Sequence, residues 1–212
     1  MLQICEIFYS LQGESSYSGL PCIFLRLAGC NLRCSWCDTS YSHSEGNSMS
    51  LPSILSEIKA YPARLVEITG GEPLLQKAAL LPLFATLHSE GYTILLETNG
   101  SVSLQGLPDY VTAIVDIKCP ASGVWNTEAD LSPWLENLAR LRPQDELKFV
   151  LASRQDYLFA VDFIQAHSLQ AYHIIFSPIA ERLAPTQLAA WLLEDGLPYR
   201  LQLQLHKLID LK

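Results

Sequence analysis

No block of lysine or arginine interrupts this chain. Its 14 Lys and Arg are outnumbered by 22 Asp and Glu, for a formal charge of −8. Neutralising a phosphate backbone needs clustered cations, so a nucleic-acid-binding face is excluded and a small-molecule substrate is favoured. Nor does any run approach the roughly 18 apolar residues of a membrane span. The N-terminus MLQICEIFYS has no cationic n-region and carries Glu6 where a secretory leader would be apolar. The expected compartment is cytoplasmic, with no membrane partner, where thiols stay reduced. Internal repeats, low-complexity tracts and interdomain linkers are also lacking. A chain of 212 residues, 49% hydrophobic, is long enough for one substantial core. A single domain over residues 1–212 is expected.

What is present alternates between two periodicities. Short β-rich runs lie at Ile4–Leu11, Cys22–Ala28, Leu65–Thr69, Tyr92–Thr98, Thr112–Lys118, Glu146–Ala152, Tyr172–Phe176 and Tyr199–Leu205. Between several of them run helical patterns. Leu51, Ile54, Leu55 and Ile58 follow i, i+3, i+4, i+7, with Ser50 as N-cap and Pro52 tolerated in the first turn. Leu74–Glu90 forms a second helix that stops at Gly91, with Pro82 kinking it or marking its start. Further helices are predicted at Ser132–Leu141, Asp156–His167 and Pro185–Glu194. Strand–helix alternation with apolar, β-branched strands implies parallel βα units in an α/β fold. Roughly six units are too few for a closed eight-unit barrel. A partial, open βα barrel with mostly parallel strands follows.

Three of the six cysteines fall in GCNLRCSWCDTSY, spaced Cys30-x3-Cys34-x2-Cys37. A [4Fe–4S] cube takes four thiolates, so three from one loop would leave one iron open to a small molecule. A structural zinc site would instead have to recruit Asp38, His43, Cys119 or Cys22 as a fourth ligand. A redox-active pair at Cys34-Ser35-Trp36-Cys37 would normally open a helix without a third cysteine upstream. Cys5, Cys22 and Cys119 lie in apolar surroundings, and at least the first two read as inert buried thiols. The three-cysteine spacing resembles the cluster loop of the radical S-adenosylmethionine (SAM) superfamily. That resemblance implies a [4Fe–4S] cluster whose open iron chelates SAM, and a 5′-deoxyadenosyl radical released by reductive cleavage.

In a parallel βα array, ligands meet the carboxyl ends of the strands. Thr69-Gly70-Gly71-Glu72-Pro73 follows one strand. Its glycines permit close backbone approach, and its N–H groups are candidates for binding an anionic group. Taken alone it is also a tight turn opening a helix. Beside the cysteine loop it resembles the superfamily's glycine-rich motif, which binds the SAM amino group. Glu97-Thr98-Asn99-Gly100 is a second tip, with Glu97 and Thr98 as candidates behind the cofactor, although Asn-Gly is also a hairpin signal. The charged pair of Asp116-Ile117-Lys118 is costly at a strand end unless it meets a partner or ligand. Ser177-Pro178 is a fourth such tip.

Glu6-Ile7-Phe8-Tyr9-Ser10-Leu11-Gln12-Gly13-Glu14-Ser15, Arg26, Cys37-Asp38-Thr39 and Gln204-Leu205-His206-Lys207 together resemble the 7-carboxy-7-deazaguanine synthases over almost the whole chain. The resemblance implies conversion of 6-carboxy-5,6,7,8-tetrahydropterin to 7-carboxy-7-deazaguanine with loss of ammonia, on the route to queuosine and other 7-deazapurines. It implies N- and C-terminal extensions that bind the pterin, through Leu11, Gln12, Gly13, Arg26, Thr69 and His206. Arginine's planar fork suits a carboxylate, and glutamine and backbone groups suit an amide edge. Trp36, Cys37, Asp38, Gly71, Asp116, Ile117, Lys118 and Ser177 are placed along SAM. Thr39 becomes a ligand for Mg2+, although Asp38-Thr39-Ser40 also reads as a hydrogen-bonded turn. An electron donor such as flavodoxin or ferredoxin, a homodimer and re-formation of SAM are further implications. The chain departs from the family in continuing past the Gln204-Leu205-His206-Lys207 phrase to Leu208-Ile209-Asp210-Leu211-Lys212, so the C-terminal contact falls to His206 rather than to the Lys212 carboxylate. Two other classes share some features: a glycyl-radical-enzyme activase, which has no evident use for Arg26, and a non-enzymatic iron–sulfur or zinc module.

Overall fold

The β-branched runs assemble into one sheet in a computed structural model that describes residues 1–44, 46–124 and 131–211. Its strands are Leu2–Leu11 (β1), Pro21–Leu27 (β2), Asn47–Met49 (β3), Leu65–Gly70 (β4), Thr93–Thr98 (β5), Val111–Ile117 (β6), Glu146–Leu151 (β7), His173–Pro178 (β8) and Arg200–Leu201 (β9). They lie in the order β3-β1-β2-β4-β5-β6-β7-β8-β9. From β2 through β4 to β9 each adjacent pair is parallel, whereas β1 is antiparallel to both β2 and β3. The terminal strands β3 and β9 do not pair with each other, so the sheet remains open.

The strands alternate side chains between two faces, as a period of two requires. One face carries Ile23, Leu25, Val66, Ile68, Ile94, Leu96, Val115, Leu147, Phe149 and Phe176, all within the large core. The helices Leu51–Lys59 (α1), Lys77–Ser89 (α2), Ser132–Leu138 (α3), Arg154–Ala166 (α4) and Pro185–Glu194 (α5) contribute Ile54, Leu83, Phe84, Trp134, Tyr157, Phe163 and Leu188 to that core. The other face has a small apolar floor of Cys22, Phe24, Leu65, Leu95 and Ile114. One pleat further along each strand, the same face carries Arg26, Glu67, Glu97, Asp116 and Lys148, which line a cavity. This is the arrangement that positions the site.

Most expected elements appear within a few residues of their predicted bounds, and Ser50 caps α1 by accepting a hydrogen bond from Ser53 N–H at 3.2 Å. Pro82 lies inside α2 on its exposed side, and the change of helix type comes earlier, where a 3-10 turn at Pro73–Gln76 gives way to α2. The run Tyr199–Leu205 is corrected: only Arg200–Leu201 pairs as strand, and Leu205–Leu208 (α6) is helical. Those residues are drawn away by the loop after β1, where Leu205 N–H donates to Gly13 O at 3.0 Å. β3 is not foreshadowed, because three residues carry no period and form a strand only by pairing with β1. The β5–β6 connection has no helix, and parallel pairing of β5 with β6 rules out a hairpin at Asn99-Gly100.

Side chains of α3 order that connection. Asn137 Nδ2 donates to Gly100 O and Val102 O, each at 2.8 Å, and its Oδ1 accepts from Leu104 N–H at 2.8 Å. Trp134 Nε1 donates to Asn99 O at 2.6 Å. Asn137 is 1% exposed, so Asn137→Ala would strand two buried backbone groups and one half-buried one. The expected cost is about 2–4 kcal/mol, read as a shift in a denaturant midpoint. A loss below about 0.5 kcal/mol, the range of ordinary surface changes, would show that the loop does not depend on this side chain.

Candidate active site

A cavity of about 580 Å³ opens on the polar face of the sheet. The cluster loop after β2 forms one wall, contributing Cys30, Cys34, Trp36, Cys37, Asp38 and Thr39. The loop after β1 and the C-terminal segment supply another, with Leu11, Gln12, Gly13, Glu14, Gln204, His206 and Lys207. The strand tips Thr69–Gly71, Glu97–Asn99 and Asp116 with Lys118 also line it.

The Gly70-Gly71 tip is built for contact with the cluster loop. A Cβ on Gly71 would lie 2.2 Å from Gly29 O and 2.7 Å from Cys30 Cβ, and one on Gly70 would lie 2.2 Å from Leu27 O. Gly71 N–H donates to Leu27 O at 3.1 Å and Glu72 N–H to Gly29 O at 2.8 Å. Those two N–H groups are therefore already bonded, a correction to the expectation that they meet an anion. Any backbone recognition at Gly71 and Glu72 falls to carbonyl oxygens, the groups that suit an ammonium. Glu72, fully buried, accepts from Leu74 N–H at 2.9 Å, Thr98 Oγ1 at 2.8 Å and Asn99 N–H at 2.7 Å. Burial lifts its carboxyl to about 7 in spite of these donors. Thr98, which lines the cavity itself, is tied to the glycine tip through Glu72.

All three motif cysteines are free and partly exposed on the cavity, whereas Cys22 and Cys119 are fully buried. Burial raises the Cys30 and Cys34 thiols above their ordinary range, and binding to iron would deprotonate them. Leu32 N–H at 3.5 Å and Asn99 Nδ2 at 3.9 Å donate to Cys30 Sγ, and the His43 ring nitrogen Nε2 lies 3.5 Å from Cys37 Sγ. Among the described residues no three Cys, His, Asp or Glu side chains are gathered as a single metal ion needs. Thiolates from one loop, with donors to sulfur and an adjoining cavity, fit a [4Fe–4S] cluster.

Features suited to SAM lie alongside. Lys118 Nζ bonds Asp116 Oδ2 at 2.6 Å, while Asp116 Oδ1 is buried with no partner among the described residues. An orphaned carboxylate oxygen at a cavity wall is an acceptor waiting for a donor. Trp36 has the Arg182 guanidinium 5.5 Å from its ring centroid. Ile117 and Ser177 do not line the cavity. Ile117 is 1% exposed and belongs to the helix-facing core, and Ser177 is also 1% exposed.

Toward the other wall, Arg26 pairs with Glu6 through Nε at 2.8 Å. Among the described residues Nε is the nitrogen bonded to a side chain, and the guanidinium lies 5.9 Å from the Phe8 ring centroid, so the terminal nitrogens of the fork are available to a ligand. Gly13 lies so close to His206 that a Cβ would meet Nδ1 at 2.2 Å. The two terminal segments are also joined by Gln202 Nε2 to Ser15 O at 2.7 Å, Ser15 N–H to Gln202 Oε1 at 2.6 Å, and Gln204 Nε2 to Glu14 Oε1 at 2.9 Å. Lys207 Nζ then reaches Asp38 Oδ2 at 3.0 Å. Thr39 O accepts from Ser42 N–H at 2.9 Å, as a turn residue would, and its hydroxyl lies 3.8 Å from Cys37 Sγ. Lys212 lies outside the described residues. Glu14, Glu67 and Lys148 also line the cavity without having been assigned a role. The signal for the last two was a charge at an inward position of an otherwise apolar strand, in Leu65-Val66-Glu67-Ile68 and Leu147-Lys148-Phe149.

The cluster loop, the glycine tip and the open parallel sheet define a radical SAM protein. Residues 25–121 match the family model described as the Radical SAM superfamily. The chain is 48% identical to the 7-carboxy-7-deazaguanine synthase of Koribacter versatilis, covering 98% of this chain and 96% of that one. It is 45% identical to the enzyme of the same name from Chlorobaculum tepidum, covering 98% and 94%. The crystal structure of QueE from Escherichia coli superposes with a TM-score of 0.74 at 26% identity, covering 97% of this chain and 94% of that one. The chain belongs to the 7-carboxy-7-deazaguanine synthase family. An activase or a non-enzymatic module is not favoured.

Replacing Cys30, Cys34 or Cys37 by Ala should abolish the brown thiolate-to-iron chromophore and all SAM cleavage. Cys5→Ala and Cys22→Ala should leave the chromophore in place. Equal loss from Cys22→Ala and Cys34→Ala in anaerobic absorbance spectra would contradict the assignment.

Proposed function

We propose that this enzyme converts 6-carboxy-5,6,7,8-tetrahydropterin to 7-carboxy-7-deazaguanine with loss of ammonia. The observation that carries the reading is the single cavity shared by the three motif cysteines and by Gln12, Gly13, Arg26 and Thr69. A radical enzyme must bring the cofactor carbon against one C–H bond, and a shared cavity does so. When bound, the cluster and SAM supply a primary carbon radical that abstracts that hydrogen. Cys30, Cys34 and Cys37 would hold the cluster; Trp36, Asp38, Gly71, Asp116 and Lys118 would line the SAM side.

On the substrate side, the free end of the Arg26 fork would take the pterin carboxylate bidentately. Gln12, Leu11, Gly13, Thr69 and His206 would meet the ring. The contact between Gly13 and His206 ties these groups into one wall, and α6 covers it. We further propose a cytoplasmic homodimer reduced by a flavodoxin- or ferredoxin-type donor, with Mg2+ on Thr39. The Thr39 turn uses the backbone carbonyl, and the hydroxyl oxygen, 3.8 Å from Cys37 Sγ, keeps a lone pair for a cation. A hard oxygen ligand beside a carboxylate is a site type Mg2+ accepts while keeping several waters.

Arg26→Ala should weaken pterin binding by about 2–5 kcal/mol, as for a lost desolvated charge pair, while cluster content and SAM binding persist. Lys should rescue only in part, because it lacks the fork. Unchanged pterin affinity in an anaerobic titration would remove Arg26 from the substrate site.

For Thr39 the readout is the response to metal. Turnover of metal-stripped enzyme that keeps its cluster should rise on adding Mg2+. Thr39→Ala should lose the response and Thr39→Ser keep much of it. A parent-like response from the alanine variant would return Thr39 to a turn role only.

A further inference from the structure

Lys148 and two of the acidic side chains around it have no part in the assignments above. Lys148 points inward from β7 and is 3% exposed. Its Nζ donates to Glu14 Oε2 at 2.9 Å and also to Glu97 Oε1. Glu14 comes from the loop after β1 and Glu97 from the tip of β5, so one ammonium joins three distant parts of the chain. Glu14 keeps its second oxygen on Gln204, and Glu97, a cavity-lining residue, bonds Lys148 through Oε1. Glu67, opposite on β4, accepts from Gln12 Nε2. Arg26, Asp116, Lys118 and His206 also line the cavity.

Burial of Lys148 would discharge it, yet Glu14 and Glu97 outweigh that and hold it charged. In return Lys148, with Gln204, draws Glu14 well below the usual carboxylate range against its own burial. For Glu67, burial together with the nearby Glu97 outweighs Lys148 and the Gln12 hydrogen bond and holds it well above that range. Without the ammonium, three carboxyl groups would share one low-dielectric wall, and like charges so close cannot all persist.

We propose that Lys148 is a positioning residue for the substrate: it holds Glu14 and Glu97 side by side as acceptors for the N–H edge of a bound amino-pyrimidinone ring. Ionised carboxylates only accept, so a ring presenting two N–H donors is matched and one presenting lone pairs is repelled. With Arg26 on β2 receiving the ring's carboxylate, the cavity is polarised and the substrate has one orientation. This inference rests on the pterin reading above.

The test titrates cluster-loaded, SAM-bound protein with 6-carboxytetrahydropterin under anaerobic conditions. Lys148→Met should raise the pterin Kd by about 30-fold or more, the scale of a broken buried charge pair. SAM affinity and iron content should stay at parent levels, and Lys148→Arg should fall between the two. Parent-like pterin affinity in Lys148→Met overturns the proposal, and so does an equal fall in pterin and SAM affinity, the mark of a merely structural lysine. If Lys148→Met does not retain its cluster, Lys148→Arg decides. It keeps the charge but cannot set one nitrogen between both carboxylates, so pterin affinity should drop severalfold with SAM affinity intact. Parent-like pterin affinity in Lys148→Arg overturns the proposal. Parent protein that does not bind the pterin refutes the substrate assignment itself, a result separate from any difference among the variants.

Discussion

The close approach of the β4 tip to the loop after β2, backbone against backbone, is the contact on which the site depends. Gly71 and Glu72 donate to Leu27 and Gly29 across a gap with no room for a Cβ. That approach sets Cys30 beside the end of the parallel sheet. It also drives Glu72 into the interior, where it collects Leu74, Thr98 and Asn99. The cluster loop, two strand tips and the start of the following helix are thereby fixed by one short turn. Preorganisation of this kind is what a reaction with a carbon radical needs, since misplacement exposes the radical to the wrong bond.

A second constraint acts at the opposite wall. An open sheet leaves its cavity uncovered on one side, and here the loop after β1 crosses it and is clasped by the C-terminal segment. Gln202 and Ser15 exchange two hydrogen bonds, and α6 carries His206 onto Gly13 and Lys207 onto Asp38. The C-terminal segment therefore touches both the substrate wall and the cluster loop. Packing energy comes mainly from the helix-facing side of the sheet, where core residues from β2 and β4–β8 are nearly all fully buried. The polar side is free to hold charge because the apolar side holds the fold, a division that alternation along each strand makes possible.

Much of this was legible in the residues. Apolar, β-branched runs and helical periods marked eight of nine strands and the five crossover helices, since burial on one face writes itself into spacing. The cysteine spacing and the glycine tip identified the chemistry, because few other sites ask for them together. What escaped notice depended on contacts distant in sequence. The run Tyr199–Leu205 leaves the sheet after Arg200–Leu201 and turns helical at Leu205, where the N-terminal loop bonds it. Asn47–Met49 has no pattern of its own. Glu67 and Lys148 each looked like an isolated charge in an apolar strand, and only folding shows Lys148 paired with Glu14 and Glu97. Ile117 sits between two polar cavity residues but faces the core, a matter of strand parity that the motif Asp116-Ile117-Lys118 conceals.

The most direct measurement is mass analysis of an anaerobic reaction containing cluster-loaded enzyme, reductant, SAM, Mg2+ and 6-carboxytetrahydropterin. If one cavity holds both the cofactor carbon and the pterin, the pterin should be replaced by a product lighter by one ammonia, with free ammonia formed in equal amount. SAM should persist through many turnovers. Unchanged pterin accompanied by stoichiometric loss of SAM would contradict the account, because the radical would then form in a cavity that does not hold this substrate.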